Sequence, residues 1–511
     1  MTSNTSTTRT SKHVRRAGNR AHRFAPARIA AVSALALSIA GCAPGGPIPS
    51  ASSPITQNEA QQGAEYHPQL LAQFGGAMEG SQAQYVEQVG KNIAVQSGLA
   101  GARDSFTVSL LNSPVNNAFA VPGGYIYTTR QLVTLMDNEA ELSAVLGHEV
   151  GHVAARHSQR RQQRAQRNSI LGVLGAIGSS ILLGDTGISD SLARTFLQGS
   201  QLLTLSYSRS QELEADELGI QYLTAAGYDP RAMGTVLNSL AAQNSLDARL
   251  QGREDATAPE WASTHPNSAE RVRTALTKAE GLPGSVTNRD TFLNRIEGLT
   301  YGDDPEQGVI EGRDFIHPEL MLTFTAPQGF YMVNSTRAVG INGQSGQAQL
   351  TLAPYSGDLT TYVRQQFSAI GGEQQQLAPQ TLERTTVNGL SAAYGQARVN
   401  NGQQQVEVTV FAYEFAPDRA YHFTAITPAG QSNTFGAMFQ SMRRISQAEA
   451  SQVVPRKLDV VTVQRGDTVA SLARRMAYDN GQIDRFRVLN SLGSNDALRI
   501  GQQVKLVVRG R

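Results

Sequence analysis

The sequence predicts a multidomain chain: a mainly α domain with a small sheet, then an α+β domain, then a compact βααβ module. Three observations carry that expectation. At 511 residues the chain exceeds what one hydrophobic core can organise. Apolar residues recur with helical period over most of 57–280, and the texture turns to strands and turns over 320–427. The final segment, 458–508, reads strand, turn, helix, helix, strand. A hydrophobic fraction of 40% suits soluble globular domains. The net charge of +2 leaves no nucleic-acid footprint, and part of the positive charge is concentrated before residue 30.

The amino terminus reads as a targeting segment. Arg9, Lys12, Arg15, Arg16, Arg20, Arg23 and Arg28 precede an apolar run from Ile29 to Ala40, which is short for a bilayer span. The run ends in Ile39-Ala40-Gly41-Cys42, which resembles the lipobox of bacterial lipoproteins. That resemblance implies a signal peptide over 1–41, cleavage before Cys42 and lipidation of its thiol, with an uncleaved anchor or a cytosolic apolar start as the alternative. Cys42 is the only cysteine, so no intrachain disulfide framework is expected. Ala43, where an aspartate would retain a lipoprotein at the inner membrane, implies the periplasmic face of the outer membrane. Residues 42–56, rich in Pro, Gly and Ser, read as a flexible tether.

The first folded domain is expected over 57–285. Gln57 to Gly98 is helical in period, Ser105 to Leu111 alternates as a strand, and Ala118 to Thr128 is a second strand interrupted by Pro122-Gly123-Gly124. A helix starts near Asp137, a good cap, with Glu139 and Glu141 in its first turn and Arg156, Arg160 and Arg161 at its end. Beyond it, Gln159 to Arg167 is basic and Ile170 to Leu183 is apolar and glycine-rich. This pair reads as a helical excursion over the active site, whose apolar part either touches membrane or substrate or is a core helix. A second strong helix runs from about Ser210 to Ala226, stopped by Gly227 and Pro230, and further helices reach about Glu280.

The chemistry concentrates in His148-Glu149-Val150-Gly151-His152. Two histidines four apart on a helix share a face and can grip one zinc ion, with the glutamate between them placed to activate a water. Composition alone gives about 0.01 such motifs per chain, so chance is a poor explanation. A catalytic zinc takes three protein ligands and keeps one position for water, so a third ligand is needed. Glu212 and Asp216 lie one turn apart on one face of the second helix and could supply it.

The Ser-Arg-x-x-Glu-x-x-Ala-Asp string around Glu212, together with the histidine motif, resembles the M48 family of zinc metallopeptidases. The likeness extends to Asn117-Ala118-Phe119-Ala120-Val121-Pro122-Gly123-Gly124 upstream and to Thr264-His265-Pro266 with Arg271 downstream. It implies a zincin-like metallopeptidase domain with one zinc per chain held by His148, His152 and Glu212, and Glu149 as general base and acid. Asp216 is then an outer carboxylate that fixes an imidazole tautomer, and Arg271 a candidate donor to the tetrahedral oxyanion, with a surface salt-bridging arginine as the alternative. Glu214 competes for the ligand role but lies two residues from Glu212 and points elsewhere. His265 is expected to approach the metal as a removable fourth ligand or gate, while His157, five past His152, is read as structural. Ala118, Phe119, Ala120 and Val121 form either an edge strand that pairs with substrate backbone or a core strand.

The α+β domain, over 305–448, shows its clearest strands at Leu320–Thr325, Gln347–Leu352, Gln404–Tyr413 and Tyr421–Thr427, and offers no metal or acid–base cluster. It resembles small periplasmic domains of the PsbP-like kind, with a binding or scaffold role. In the last module, Gly466-Asp467-Thr468, Asn490 and Gly501-Gln502 ahead of Val504–Val508 resemble LysM, which implies N-acetylglucosamine recognition in peptidoglycan; a LysM fold kept for protein contacts is the alternative. Signal, peptidase-like domain and LysM-like tail in this order resemble periplasmic lipoproteins of the M48 family. The expected function is cleavage of unfolded or misassembled envelope proteins, with an envelope chaperone or assembly adaptor holding a mainly structural zinc as the competing class.

Overall fold

The structure, a computed structural model, describes residues 1, 53–161, 207–250, 265, 269–371, 377–400 and 405–510. The signal segment, Cys42, most of the tether, the excursion over 170–183, Thr264 and Pro266 lie outside the described residues.

Two helices, α1 (Gln57–Gln73) and α2 (Ser81–Ala94), open the helical domain. Thr56 and Glu59 cap α1 reciprocally, the threonine hydroxyl accepting the Glu59 N–H and the Glu59 carboxylate accepting the Thr56 N–H at 2.8 Å. A three-stranded sheet follows: β1 (Thr107–Leu111), β2 (Ala118–Val121) and β3 (Tyr125–Thr129) in the order β1-β3-β2. The single interrupted strand expected over 118–128 is thus two strands. Pro122-Gly123-Gly124 turns the chain between them, with φ of +93° and +84° at the glycines, a region open to Gly and costly for other residues. β1 pairs with β3 in parallel and β2 with β3 antiparallel, which leaves β2 at an edge. Phe119 and Tyr127 pack towards Leu70 of α1 and Phe74 just beyond it, while Ala118 and Ile126 face the main core. That alternation is what sandwiches the sheet between helices.

A short helix, α3 (Arg130–Leu135), leads into α4 (Glu139–Ala154), the motif helix. Every residue of α4 but Val153 is buried, so the polar groups Glu139, Glu141, His148, Glu149 and His152 lie in the interior with its apolar ones. Its cap is Asn138, whose side chain accepts the Glu141 N–H at 3.0 Å; Asp137, the expected cap, is used elsewhere. The helix also ends early. Arg156 adopts φ +51° and turns the chain, so Arg160 and Arg161 follow a break instead of closing the helix.

Packed against α4 is α5 (Arg209–Ala225), started by a Ser208–Gln211 capping box. Glycines let the two helices approach closely. A Cβ on Gly151 would lie 3.0 Å from the Ala215 carbonyl, and one on Gly219 would lie 3.2 Å from the His148 nitrogen. Helices α6 (Ala232–Leu250), α7 (Ala269–Ala279) and α8 (Arg289–Ile296) complete the domain.

After β4 (Thr300–Tyr301) comes the sheet-rich region. Strands β5 (Val309–Glu311), β6 (Asp314–His317) and β7 (Leu322–Thr325) belong to a four-stranded antiparallel sheet. Strands β8 (Tyr331–Asn334), β9 (Val339–Gly343), β10 (Gly346–Leu352), β11 (Thr381–Val387), β12 (Leu390–Asn400), β13 (Gln405–Ala416) and β14 (Arg419–Pro428) form a seven-stranded one, ordered β11-β12-β13-β14-β10-β9-β8. Phe411 and Tyr413 on one face of β13 meet Phe324, whereas Val408 and Val410 on the other meet Val363 and Phe367 of the helix α9 (Leu359–Gly371). Period two along a strand explains how one sequence serves both cores.

The last module comprises β15 (Arg456–Thr462), α10 (Val469–Ala473), α11 (Gln482–Leu489) and β16 (Gln503–Arg509). Its antiparallel strand pair gains a third strand from β4. Leu458, Phe486, Leu489, Val504 and Leu506 join the same apolar cluster as Leu142, Val145 and Leu240 of the helical domain. Lys505, fully buried, donates from Nζ to the carbonyls of Thr134 (3.0 Å) and Met136 (2.7 Å) and lies 3.1 Å from Asp137 Oδ1.

Candidate metal centre

Helical spacing places His148 and His152 on one side of α4, with their Nε2 atoms 3.0 Å apart. Opposite them, α5 presents Glu212, whose carboxylate oxygens lie 3.5 Å from His148 Nε2 and 3.5 Å from His152 Nε2. His265 enters the same space: its Nδ1 is 3.2 Å from His148 Nε2 and 3.1 Å from Glu212 Oε1, and its Nε2 is 3.5 Å from Glu149 Oε1. All four side chains are buried, with one ligand atom of each within 4.8 Å of the others. Tetrahedral zinc with bonds of about 2.0–2.1 Å would set its ligand atoms roughly 3.3 Å apart, so the separations and the nitrogen–oxygen donor set both fit that ion. Among the described residues this is the one cluster able to hold a metal.

The outward nitrogens of the two motif histidines are also occupied. Asp216, one turn beyond Glu212, lies 2.9 Å from His148 Nδ1. His157 lies 2.7 Å from His152 Nδ1, and its own Nε2 is 3.0 Å from Glu214. The ring of Tyr207 stacks on His152 at 3.8 Å. The sequence reading left His157 without a part in the site and offered no signal for Tyr207.

Arg271, from α7, is 1% exposed and spends its guanidinium on carboxylates. Nε and Nη2 donate to the two oxygens of Asp216 at 2.8 and 2.7 Å, and Nη1 lies 2.8 Å from Glu212 Oε2. The structure therefore places this cation behind the acidic pair: of the two expectations, oxyanion donor or surface salt-bridging arginine, it shows the salt bridges, but buried. Glu214 stands outside the four-donor cluster, on His157 and Arg160.

The electrostatics follow from burial opposed by partners. Burial drives the Glu212 carboxyl up, but His265 and His148 outweigh it and hold the group ionised, well below the ordinary range. Burial also pulls His148 down, yet Asp216 and Glu212 outweigh it and lift the imidazole to about 9. His152 is held well below an ordinary histidine by burial and by the neighbouring imidazoles. The cluster thus couples an ionised carboxylate to imidazoles competing for protons, and a cation bound at the same atoms would relieve that competition.

Residues 80–279 match Peptidase family M48 and residues 461–507 match the LysM domain, so the chain contains a peptidase M48 domain and a LysM domain. It is 33% identical over 244 residues to the beta-barrel assembly-enhancing protease of Escherichia coli O157:H7, covering 47% of this chain and 48% of that one. To the protein of the same name from Yersinia pestis it is 32% identical over 231 residues, 43% of this chain and 44% of the other. With the mitochondrial metalloendopeptidase OMA1 of Schizosaccharomyces pombe the identity is 28% over 237 residues, 46% and 64% of the two chains. The chain spans about half the length of the bacterial relatives it matches.

Proposed function

We propose that this chain is a zinc-dependent endopeptidase of the cell envelope, acting on misfolded or misassembled periplasmic and outer-membrane proteins. The observation that carries the proposal is the convergence of His148, His152 and Glu212 on one point beside Glu149. We read the helical domain as a zincin-like metallopeptidase domain over 57–285, followed by the α+β domain over 305–448 and the LysM-like module over 458–508.

His148, His152 and Glu212 would hold the ion, one per chain. When bound, zinc supplies Lewis-acid polarisation of the scissile carbonyl and brings the pKa of a coordinated water to about 7. Glu149 accepts the proton of the attacking water and returns it to the leaving amine. Asp216 fixes the His148 tautomer from behind, and Arg271 holds Glu212 and Asp216 in place by pairing with both. The edge position of β2 supports pairing of Ala118–Val121 with an extended substrate backbone, which selects unfolded chain over a specific side-chain sequence. His265 acts as a gate: as a fourth protein donor it fills the position a catalytic ion keeps open, and its withdrawal admits water and substrate.

Lipidation of Cys42 would anchor the protein to the outer membrane from the periplasmic side, and the LysM domain would bring peptidoglycan within reach. Among the described residues no helix is long and apolar enough to cross a membrane. The names of the bacterial relatives, protease and barrel assembly together, support envelope proteins as the substrate class.

Four protein donors are also the set of a closed structural zinc site, which favours a second reading, an assembly adaptor without turnover. The deciding experiment is cleavage of casein by the purified zinc-loaded protein against Glu149→Gln, with metal content measured in both. Cleavage lost in the variant at equal zinc content supports the peptidase, whereas no difference between the two selects the adaptor.

A further inference from the structure

His157 and Glu214 have no part in the reading above, yet they continue a chain of contacts that starts at the metal cluster. His152 turns Nε2 towards His148 and Glu212, so a metal held there leaves its proton on Nδ1. Nδ1 lies 2.7 Å from His157 Nδ1. Between two such nitrogens only one can donate. His152 therefore donates, His157 accepts, and the proton of His157 resides on Nε2, which faces the Glu214 carboxylate at 3.0 Å. Arg160 Nη1 donates to both oxygens of that carboxylate at 3.1 Å. Every link has one consistent donor and one acceptor.

We infer that His157 and Glu214 are positioning residues that orient His152 and raise its basicity as a metal ligand, through an imidazole-to-imidazole relay ending in a carboxylate. The inference rests on the zinc reading of the site. His148 is served directly by Asp216, which Arg271 clamps, and His152 is served at one remove by Glu214, which Arg160 clamps. Residues of one helix, α5, thus supply the shared ligand and both outer carboxylates. An imidazole interposed between ligand and carboxylate suits the longer span: Glu214 stands two residues from Glu212 on α5, roughly 200° around its axis. Removal of such an outer partner typically costs 10–100-fold in metal affinity.

The test is zinc affinity by competition with a chromophoric chelator, together with the visible spectrum of the cobalt-substituted full-length protein. His157→Phe should raise the zinc dissociation constant about 10–100-fold and shift the cobalt bands, while His157→Gln, which keeps an acceptor, should lose less than about 10-fold. Glu214→Ala, at the solvent side of the relay, should weaken binding measurably with the fold kept by circular dichroism. His157→Phe binding within twofold of wild type with an unchanged cobalt spectrum overturns the relay. If that variant does not fold, unchanged affinity in Glu214→Ala overturns it instead. A wild-type chain that binds no zinc removes both the relay and the metallopeptidase reading, whereas wild-type binding matched by the variants removes the relay alone.

Discussion

Lys505 offers a test of whether the carboxy-terminal module is coupled to the M48 domain or is a passenger. Its ammonium, contributed by β16, caps the end of α3 and pairs with Asp137 immediately before the cap of α4. Burial lowers its pKa while Asp137 and Glu141 oppose that fall. Lys505→Met keeps most of the stem and deletes the charge. Two hydrogen bonds from a charged donor are worth about 1.5–3 kcal/mol each, and loss of one member of a buried pair costs about 3–5 kcal/mol. Relief from burying the ammonium offsets part of the sum, and the Asp137 side chain retains 12% exposure, so the lower end, about 3 kcal/mol, is expected. For a domain of this size that corresponds to a fall in Tm of roughly 6–12 °C, read by calorimetry on the metal-free chain. Because the penalty comes largely from an uncompensated carboxylate, Asp137→Asn added to Lys505→Met should recover part of it. A Tm within 2 °C of wild type, or strictly additive losses in the double variant, refutes the coupling.

Other consequences are equally direct. His265→Ala should raise basal cleavage of an unfolded substrate and alter zinc affinity; unchanged values of both would remove the gate. Chelation should lower the Tm of the helical domain, since zinc at 100 times its dissociation constant stabilises by about 2.7 kcal/mol, and restoring zinc should reverse the loss; a Tm indifferent to chelator contradicts this. In the sheet-rich region His422, hydrogen-bonded through Nδ1 to the Tyr362 hydroxyl at 2.8 Å, is held neutral by burial, which lowers its pKa to about 4. The unfolded chain takes up a proton near pH 6.5 that the fold refuses, so stability is full above 6.5 and falls by up to about 3 kcal/mol between 6.5 and 4. Urea titrations at pH 7.5 and 4.5 should show a smaller drop for His422→Gln than for wild type; equal drops would contradict the assignment.

The parts of the site legible in the sequence are those fixed by helical geometry within one element. Spacing of four put His148 and His152 on one side of α4, and the same spacing joined Glu212 to Asp216 on α5. What escaped depends on breaks and on long-range competition. His157 lies five residues past His152, which a continuous helix would carry about 140° away. Arg156 at φ +51° ends that continuity, its strain offset by ion pairing with Glu59 at 3.2 Å and by donation to the Ser53 and Pro54 carbonyls. Nothing local announces that an arginine will adopt this conformation. The cap of α4 is a similar case: Asp137 and Asn138 are equally good cap residues, and Lys505, some 370 residues away, takes the aspartate.

Long-range order also decides what the glycines of the two site helices mean. In isolation Gly147, Gly151 and Gly219 weaken helices by about 1 kcal/mol each relative to alanine. Their use appears only when α4 and α5 meet. A Cβ at Gly219 would press within 2.5 Å of the Met233 methyl and 3.2 Å of the His148 nitrogen, and one at Gly151 would sit 3.0 Å from the Ala215 carbonyl. Separating the helices to admit these atoms would move Glu212 and Asp216 away from His148 and His152, whose contacts to them are 2.9–3.5 Å. Helix propensity is therefore given up at the positions that set the distance between the two halves of the metal cluster. The bond lengths a zinc ion tolerates would leave that distance little slack.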